Sequence, residues 1–229
     1  MNQGISRGLE GSIEKFSEAL GAQANYLKTS RVSRLPQYLV VSFNRFDRKT
    51  TSDGVIGLKV LKPISFPAIL DVHSICDEEL GGKILAMRNK LTEAREAEDA
   101  KVKVQLELRD VDKKKLEEET AAKEAAAAAA MDVDELAAAE QKKKDDAIPE
   151  NPMLGYYDLK AVVTHKGRAL SSGHYMGWTK DDREGKDNWI KFDDDDVYEV
   201  PKEEIMKLSG GGDWDMAYLC IYKLHHKLP

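Results

Sequence analysis

Leu159-Lys-Ala-Val-Val-Thr-His165 is the first of several short segments near the C-terminus in which β-branched and aromatic residues predominate. Glycines or charged residues separate each segment from the next, which is typical of strands joined by turns. Because such strands usually pair with their neighbours in antiparallel fashion, this block predicts an antiparallel sheet. The remaining predicted strands are His174-Tyr-Met-Gly-Trp-Thr-Lys180, Asn188-Trp-Ile-Lys-Phe-Asp193 and Met216-Ala-Tyr-Leu-Cys-Ile-Tyr222.

Residues 167–173 read as the loop before the second of these strands, and residues 181–187 as a charged turn after it. Residues 201–208 begin with proline and acidic residues and are followed by glycines, so they predict a short helix.

The N-terminal part of the chain predicts a helix and further strands. Leu9, Ile13, Phe16 and Leu20 recur at spacings of three and four, which favours a helix over residues 7–28. Residues 37–46 are rich in aromatic and β-branched types and predict a strand buried on both faces. A turn at residues 50–54 and a short strand at 57–61 follow. Helices and antiparallel strands together make the fold class α+β, dominated by an antiparallel sheet.

A charged, alanine-rich segment divides the chain. No glycine or proline occurs from Lys83 to Ile148, and Ala125 to Ala130 form an alanine run. Alanine, glutamate and lysine favour helix, but large apolar residues are too sparse to bury much surface. We therefore interpret residues 93–147 as a solvated, partly helical insertion or arm, with a coiled-coil partner site as the alternative. The arm separates residues 1–92 from 148–229, both assigned to one interrupted domain.

Composition excludes several functional classes. A net charge of −6 and a pI of about 5.5 argue against a nucleic-acid partner. There is no apolar run long enough to cross a membrane. Cys76 and Cys220 are the only two cysteines and lack CxxC spacing, which excludes a disulfide scaffold and indicates a reducing compartment. We expect a cytoplasmic protein, with the nucleus as an alternative, and no cofactor.

Among five histidines, His174 is the candidate for chemistry because it follows a small-residue loop, Ser171-Ser172-Gly173. No second histidine has metal-ligand spacing from it, so we predict no metal site. A general-base imidazole needs a carboxylate on its other nitrogen, and residues 193–196 are four consecutive aspartates. If Lys180 pairs with Asp187 across the hairpin, His174 faces Asp193; a one-residue slip brings Asp194 opposite instead. Alternatively, the acidic run is only a solvated turn.

These residues belong to a pattern that resembles the ubiquitin-specific proteases, which are papain-like thiol hydrolases. Gly173-His174-Tyr175 followed by Trp189-Ile-Lys-Phe-Asp193-Asp194 resembles the family's histidine box. Three further segments point to its proteasome-associated members, and the likeness leaves out the arm. They are Tyr156-Tyr-Asp-Leu-Lys-Ala-Val-Val-Thr-His-Lys-Gly-Arg168, Ser171-Ser-Gly-His-Tyr175 and Leu208-Ser-Gly-Gly-Gly-Asp-Trp214. Arg34-Leu-Pro-Gln-Tyr-Leu-Val-Val-Ser-Phe-Asn-Arg-Phe46 resembles a strand motif of the family as a whole.

The resemblance implies a role for each matching residue. His174 would be the general base, Asp193 the residue that orients it, and Asp194 an acid that helps organise the oxyanion site. Residues 167–173, with Ser171, Ser172 and Gly173, and the turn at 47–57 would be surface loops over the cleft for ubiquitin's C-terminal tail. Tyr175 would line that cleft, or alternatively pack under the sheet.

The nucleophile box of the family, which resembles Gly-Asn-Thr-Cys-Tyr, has no counterpart in this sequence. Cys76 lies among acids and Cys220 lies within a predicted strand, so both read as structural. The implied function is a deubiquitinase present as a C-terminal fragment that is inactive alone. Its implied partners are ubiquitin, ubiquitin conjugates and the proteasome regulatory particle. The alternatives are a non-catalytic ubiquitin- or proteasome-binding fragment and an interaction protein that acts through its helical arm.

Overall fold

The computed structural model describes residues 1–52, 54–107, 147–169, 172–183, 186–210 and 215–229. The alanine run of the predicted arm, the coiled-coil alternative for residues 108–146, and the glycine-rich residues 211–214 therefore lie outside the described residues. The chain divides into two compact units. One consists mainly of Met1–Gly82 and Gly155–Lys227, and the other mainly of Lys83–Leu154.

A seven-stranded antiparallel sheet forms the centre of the first unit. Its members are β3 (Tyr38–Ser42), β6 (Ile69–Asp71), β7 (Tyr156–Ala169), β8 (Ser172–Lys180), β9 (Trp189–Asp193), β10 (Asp196–Val200) and β11 (Met216–His225). The strands are ordered β10-β9-β8-β7-β11-β3, and β6 pairs with the start of β7. The sheet confirms the predicted α+β class. Strands β7, β8, β9 and β11 lie where the sequence predicts strands, whereas β6 and β10 were not predicted.

The predicted helix at 7–28 is wrong. A short helix, α1 (Asn2–Gly8), is followed by a hairpin of β1 (Glu10–Ser17) and β2 (Ala22–Thr29). Ile13 pairs with Tyr26, while Phe16 pairs with Gln23 on the opposite face of the hairpin. Ile13 and Phe16 are exposed on opposite faces of the hairpin, so they do not form the single buried stripe that a helix would need.

The strand predicted over 37–46 is shorter and less buried than expected. β3 lies at an edge of the sheet and pairs only with β11 within the described residues, leaving Val40 57% exposed. The predicted turn at 50–54 belongs to a separate hairpin of β4 (Phe46–Thr51) and β5 (Gly54–Lys59). Gly54 has φ of 128°, a conformation that favours glycine.

Helix α3 (Lys202–Lys207) follows β10, and buried apolar side chains fill the space between this helix and the sheet. They include Val162, Met176, Trp178, Trp189, Ile205 and Leu208. Arg45, only 1% exposed, crosses this unit and donates to the carbonyl oxygens of Ala217 (3.0 Å), Lys62 (2.6 Å) and Ser209 (3.1 Å). Burial lowers the pKa of this guanidinium, and the three carbonyls compensate for its lost hydration. Arg45 thereby fixes the start of β11 beside the end of α3.

Helix α2 (Glu78–Glu107) begins in the first unit and continues through residues 83–107 of the second. Asp77 caps its N-terminus, since its carboxylate accepts from the backbone N–H of Leu80 at 2.8 Å. Helix over residues 93–107 agrees with the partly helical arm that composition predicts. No helix among the described residues combines the length and apolarity needed to span a bilayer.

Candidate active site

His174 and Asp193 meet on one face of the sheet. The Nε2 atom of His174 lies 2.5 Å from Oδ1 of Asp193. The register differs from the predicted one by two residues, because Lys180 pairs with Trp189 rather than Asp187. His174 therefore reaches Asp193 diagonally, along a face that both side chains share, and diagonal neighbours on paired strands are close enough for such side chains to meet. The second imidazole nitrogen, Nδ1, is left for another partner.

The other carboxylate oxygen of Asp193 is also occupied. Lys191 donates to Oδ2 at 2.9 Å, and the hydroxyl of Tyr198 donates to the same oxygen at 3.3 Å. Lys191 and Asp193 are two residues apart on β9, so their side chains share a face. Tyr198 joins them because β10 pairs it directly with Lys191. Both carboxylate oxygens of Asp193 therefore have hydrogen-bond partners.

Asp194 occupies the turn between β9 and β10, where it has a positive φ of 53°. Aspartate tolerates this left-handed conformation better than most residues. Its carboxylate lies 3.9 Å from Nδ1 of His174 and its side chain is 81% exposed. It is therefore near the free imidazole nitrogen without being bonded to it.

The charges of this cluster stabilise one another. The hydrogen bond to Asp193 is the largest cause that raises the pKa of His174, with further support from the negative charge of Asp194. In turn, hydrogen bonds from His174 and then Lys191 lower the pKa of Asp193 to about 2. The carboxylate is ionised at neutral pH, so it acts only as an acceptor and the neutral imidazole must carry its proton on Nε2. The lone pair of Nδ1 is then available to accept a proton.

His174, Asp193 and Asp194 each offer a ligand atom within 4.8 Å of the others, which raises the question of a metal. The Lys191 ammonium already lies on Asp193, and Nε2 already faces the same carboxylate. Only Nδ1 and the exposed Asp194 would remain as ligands, fewer than a stable site requires. The arrangement fits a base with its orienting acid better than a metal centre.

The loop before β8 is shorter than the predicted 167–173, because β7 continues to Ala169 and β8 begins at Ser172. Ser171 and the side chain of Ser172 lie outside what the structure describes. Gly173 is pressed against β7: a Cβ there would overlap the ring of His165 and lie 2.7 Å from the carbonyl oxygen of Lys166. Only glycine fits this position without displacing its neighbours.

Tyr175 lies on the opposite face of β8 from His174. Its ring centroid is 4.7 Å from that of the buried His165 and 6.0 Å from that of Tyr218, yet the residue is 49% exposed. One side of the ring packs on the sheet while the other faces solvent. The two roles considered for Tyr175, lining a cleft and packing, are therefore compatible with one position.

Both cysteines are buried and each is fixed in the fold. The thiol of Cys76 donates to the carbonyl oxygen of Val72 at 3.3 Å. Cys220 lies in mid-strand and pairs with Val162 of β7, four residues from the Lys166 that pairs with His174. Four residues span about 13 Å of strand, so Cys220 cannot reach the imidazole. Burial also raises the pKa of its thiol to about 12, which suppresses the thiolate.

Lys191 and Tyr198 were not singled out from the sequence. The spacing of Lys191 and Asp193 was a usable signal, because residues two apart on a strand share a face. Tyr198 could be placed only once the β9–β10 register was known.

Sequence comparisons match this chain to ubiquitin carboxyl-terminal hydrolases. The family profile described as "Ubiquitin carboxyl-terminal hydrolase" matches residues 2–222. Ubiquitin carboxyl-terminal hydrolase 6 of Arabidopsis thaliana is 40% identical over 97% of this chain and 44% of its own length. Ubiquitin carboxyl-terminal hydrolase 14 of Caenorhabditis elegans is 37% identical over 97% of this chain and 41% of its own length. The chain thus spans less than half the length of these curated relatives.

Solved structures share the fold. A chain of a SAGA DUB module bound to monoubiquitin aligns with a TM-score of 0.51 and 16% identity, covering 97% of this chain and 32% of that one. A chain of a SAGA DUB module bound to ubiquitin aldehyde aligns with the same TM-score of 0.51 and 17% identity, covering 97% of this chain and 33% of that one. At this level of identity the likeness concerns the architecture alone.

Proposed function

Because the chain belongs to the ubiquitin carboxyl-terminal hydrolase family, we propose that it carries the general base and the orienting carboxylate of a deubiquitinase. The reaction is thiol-dependent hydrolysis of the bond after ubiquitin's C-terminal glycine. The observation that carries this proposal is the contact between His174 Nε2 and Asp193 Oδ1. It leaves Nδ1 as the nitrogen that takes part in proton transfer.

The chemistry follows from this tautomer. Nδ1 of His174 accepts the proton of an attacking cysteine thiol, and the thiolate adds to the carbonyl carbon of the terminal glycine. Nδ1 then returns the proton to the departing amine as the carbon–nitrogen bond breaks. Water, deprotonated by the same nitrogen, hydrolyses the resulting thioester and releases ubiquitin and the thiol. Asp193 stabilises the imidazolium throughout, and Asp194 helps organise the oxyanion site.

The attacking thiol is contributed by polypeptide outside these 229 residues. Cys76 and Cys220 are both buried, and the fold keeps Cys220 about 13 Å from the imidazole along the strand direction alone. Removing the nucleophile from such a catalytic unit costs orders of magnitude in rate. The 229-residue chain by itself is therefore inactive.

The substrates are ubiquitin conjugates, whose narrow glycine-rich tail would pass residues 171–173 and the exposed side of Tyr175. The motifs shared with proteasome-associated members of the family favour the proteasome regulatory particle as the docking partner, and hence a cytoplasmic or nuclear location. The buried state of both thiols also keeps one other function open, namely ubiquitin binding without catalysis.

Release of a fluorophore from a ubiquitin C-terminal amide tests these proposals. The purified 229-residue chain should give no turnover above the solvent rate, while titration of the labelled chain with ubiquitin should shift resonances of β8 and β9. Turnover that His174→Ala abolishes would contradict the external nucleophile. Absence of both turnover and binding would contradict the substrate assignment.

A further inference from the structure

The two carboxylate oxygens of Asp193 have different partners. Oδ1 faces His174, whereas Oδ2 accepts from Lys191 and Tyr198, which have no part in the reaction described above. We propose that Lys191, together with Tyr198, is a positioning residue that holds the Asp193 carboxylate with Oδ1 turned towards His174. This inference rests on the proposed function, since it gives Asp193 the orienting role, but it concerns residues to which the reaction described above assigns no step.

Lys191 is held on several sides. Its side chain is only 14% exposed, and Nζ lies 5.1 Å from the ring centroid of Trp178 and 5.3 Å from that of Tyr198. The strand register places these two aromatic residues directly across from Lys191 on β8 and β10. Trp178 is itself fixed, because its indole N–H donates to the hydroxyl of Thr164 at 3.0 Å. A cation between two aromatic faces is favourably placed, and its lysine stem is packed.

Hydrogen bonds connect Lys191, Tyr198 and Asp193 in a triangle, and the donors and acceptors of the three groups match. Lys191 donates to Oδ2 of Asp193 at 2.9 Å and to the hydroxyl oxygen of Tyr198 at 3.2 Å. Tyr198 then has its own proton free to donate to Oδ2 at 3.3 Å. An ammonium supplies three donors and a phenol supplies one donor besides its acceptor sites, so the triangle needs no unusual protonation state.

This arrangement has a consequence for the imidazole. A carboxylate anchored through Oδ2 cannot rotate freely about its side chain, so Oδ1 stays at the position where Nε2 meets it. The neutral imidazole is thereby kept as the Nε2–H tautomer, and Nδ1 stays an acceptor. Outer groups that fix ring orientation and tautomer serve histidines in this way at other reactive sites.

The ring nitrogens of His174 give the direct test. ¹⁵N chemical shifts of the isotope-labelled 229-residue chain, recorded above the titration midpoint of His174, report how the proton is shared between Nε2 and Nδ1. The unmodified chain should be predominantly the Nε2–H form. Lys191→Met, which has an apolar side chain of similar length to pack between the rings, should shift His174 towards a mixture of both tautomers. Tyr198→Phe should shift it in the same direction but less, and Lys191→Arg should largely restore the Nε2–H form.

Lys202→Met is the matched control, because it also removes a positive charge and a hydrogen bond to an aspartate, Asp187. Lys202 does not contact the cluster around Asp193. The Lys202→Met substitution should leave the tautomer unchanged. A His174 that remains predominantly Nε2–H in both Lys191→Met and Tyr198→Phe would overturn the inference. If the tautomer is unchanged and only the titration midpoint of His174 is raised in Lys191→Met, Lys191 acts on His174 only through its charge. Because no ubiquitin is present, this result is independent of whether the proposed hydrolysis is correct.

Discussion

Gly173 precedes the candidate base by one residue, and its lack of a side chain allows β8 to lie close against β7. A Cβ at this position would overlap the ring of His165, which is 1% exposed, and would lie 2.7 Å from the carbonyl oxygen of Lys166. Neither neighbour can move easily, because one is packed between Phe46 and Tyr175 and the other is backbone. We therefore predict that Gly173→Ala destabilises the chain by about 1–3 kcal/mol, the usual cost of overpacking.

Gly177→Ala provides a matched control on the same strand. A Cβ there would meet Phe192 at 3.7 Å and 4.0 Å, which is ordinary van der Waals contact. Replacing a glycine where the new side chain fits should be neutral or stabilising by up to about 1 kcal/mol. Urea unfolding followed by tryptophan fluorescence measures both variants. For a protein of this size, each 1 kcal/mol corresponds to about 2–4 °C in melting temperature.

The Gly173→Ala substitution should also disturb the site, because displacing the start of β8 moves His174 away from Asp193. The titration midpoint of His174 should then fall, since the hydrogen bond that most raises its pKa is weakened. The reasoning is refuted if Gly173→Ala is as stable as Gly177→Ala and its His174 titrates as in the unmodified chain.

Asp193→Asn should lower the pKa of His174 by removing its charged hydrogen-bond partner, which an NMR titration measures; an unchanged pKa would contradict the pairing. Because Asp193 has a pKa of about 2 in the folded chain and about 3.9 when unfolded, its stabilising contribution should be present above about pH 4. That contribution should vanish as the pH falls through about 2, and urea unfolding of Asp193→Asn should lack this part of the pH dependence. Cys220, with a pKa of about 12, should resist iodoacetamide at about pH 8 until urea unfolds the chain, and rapid labelling of the folded chain would contradict its burial. Arg45→Met should cost about 3 kcal/mol in the same unfolding assay by removing three hydrogen bonds from a buried guanidinium, whereas a loss below about 1 kcal/mol would mean that those bonds contribute little.

The C-terminal strands were predictable because their residue types and the turn residues between them agree. The segments from Leu159, His174, Asn188 and Met216 all became strands within a few residues of the predicted limits. In contrast, the hairpin of β1 and β2 was predicted as a helix, since Leu9, Ile13, Phe16 and Leu20 fit a helical spacing. Its strands are held by cross-strand pairs, such as Ile13 with Tyr26, which the spacing of apolar residues within one segment does not reveal.

In the candidate site, too, the features that depend on strand pairing were harder to predict than those that depend on local sequence. His174 and Asp193 were predicted to approach each other, and the structure brings them together, although through a register shifted by two residues. Register depends on the details of turn geometry and packing, which sequence fixes only loosely. Lys191 could have been identified from its spacing to Asp193, but the contributions of Tyr198 and Trp178 depend on strand pairing.

The most direct test of the central claim uses the longer protein that we propose supplies the nucleophile together with this chain. Hydrolysis of a fluorogenic ubiquitin amide should be measured for that protein and for its His174→Gln variant, together with the affinity of each for ubiquitin. We predict a loss in kcat of about 10²–10⁴-fold, the usual contribution of a general base, with ubiquitin affinity retained. A His174→Gln variant that keeps the full rate would contradict the account.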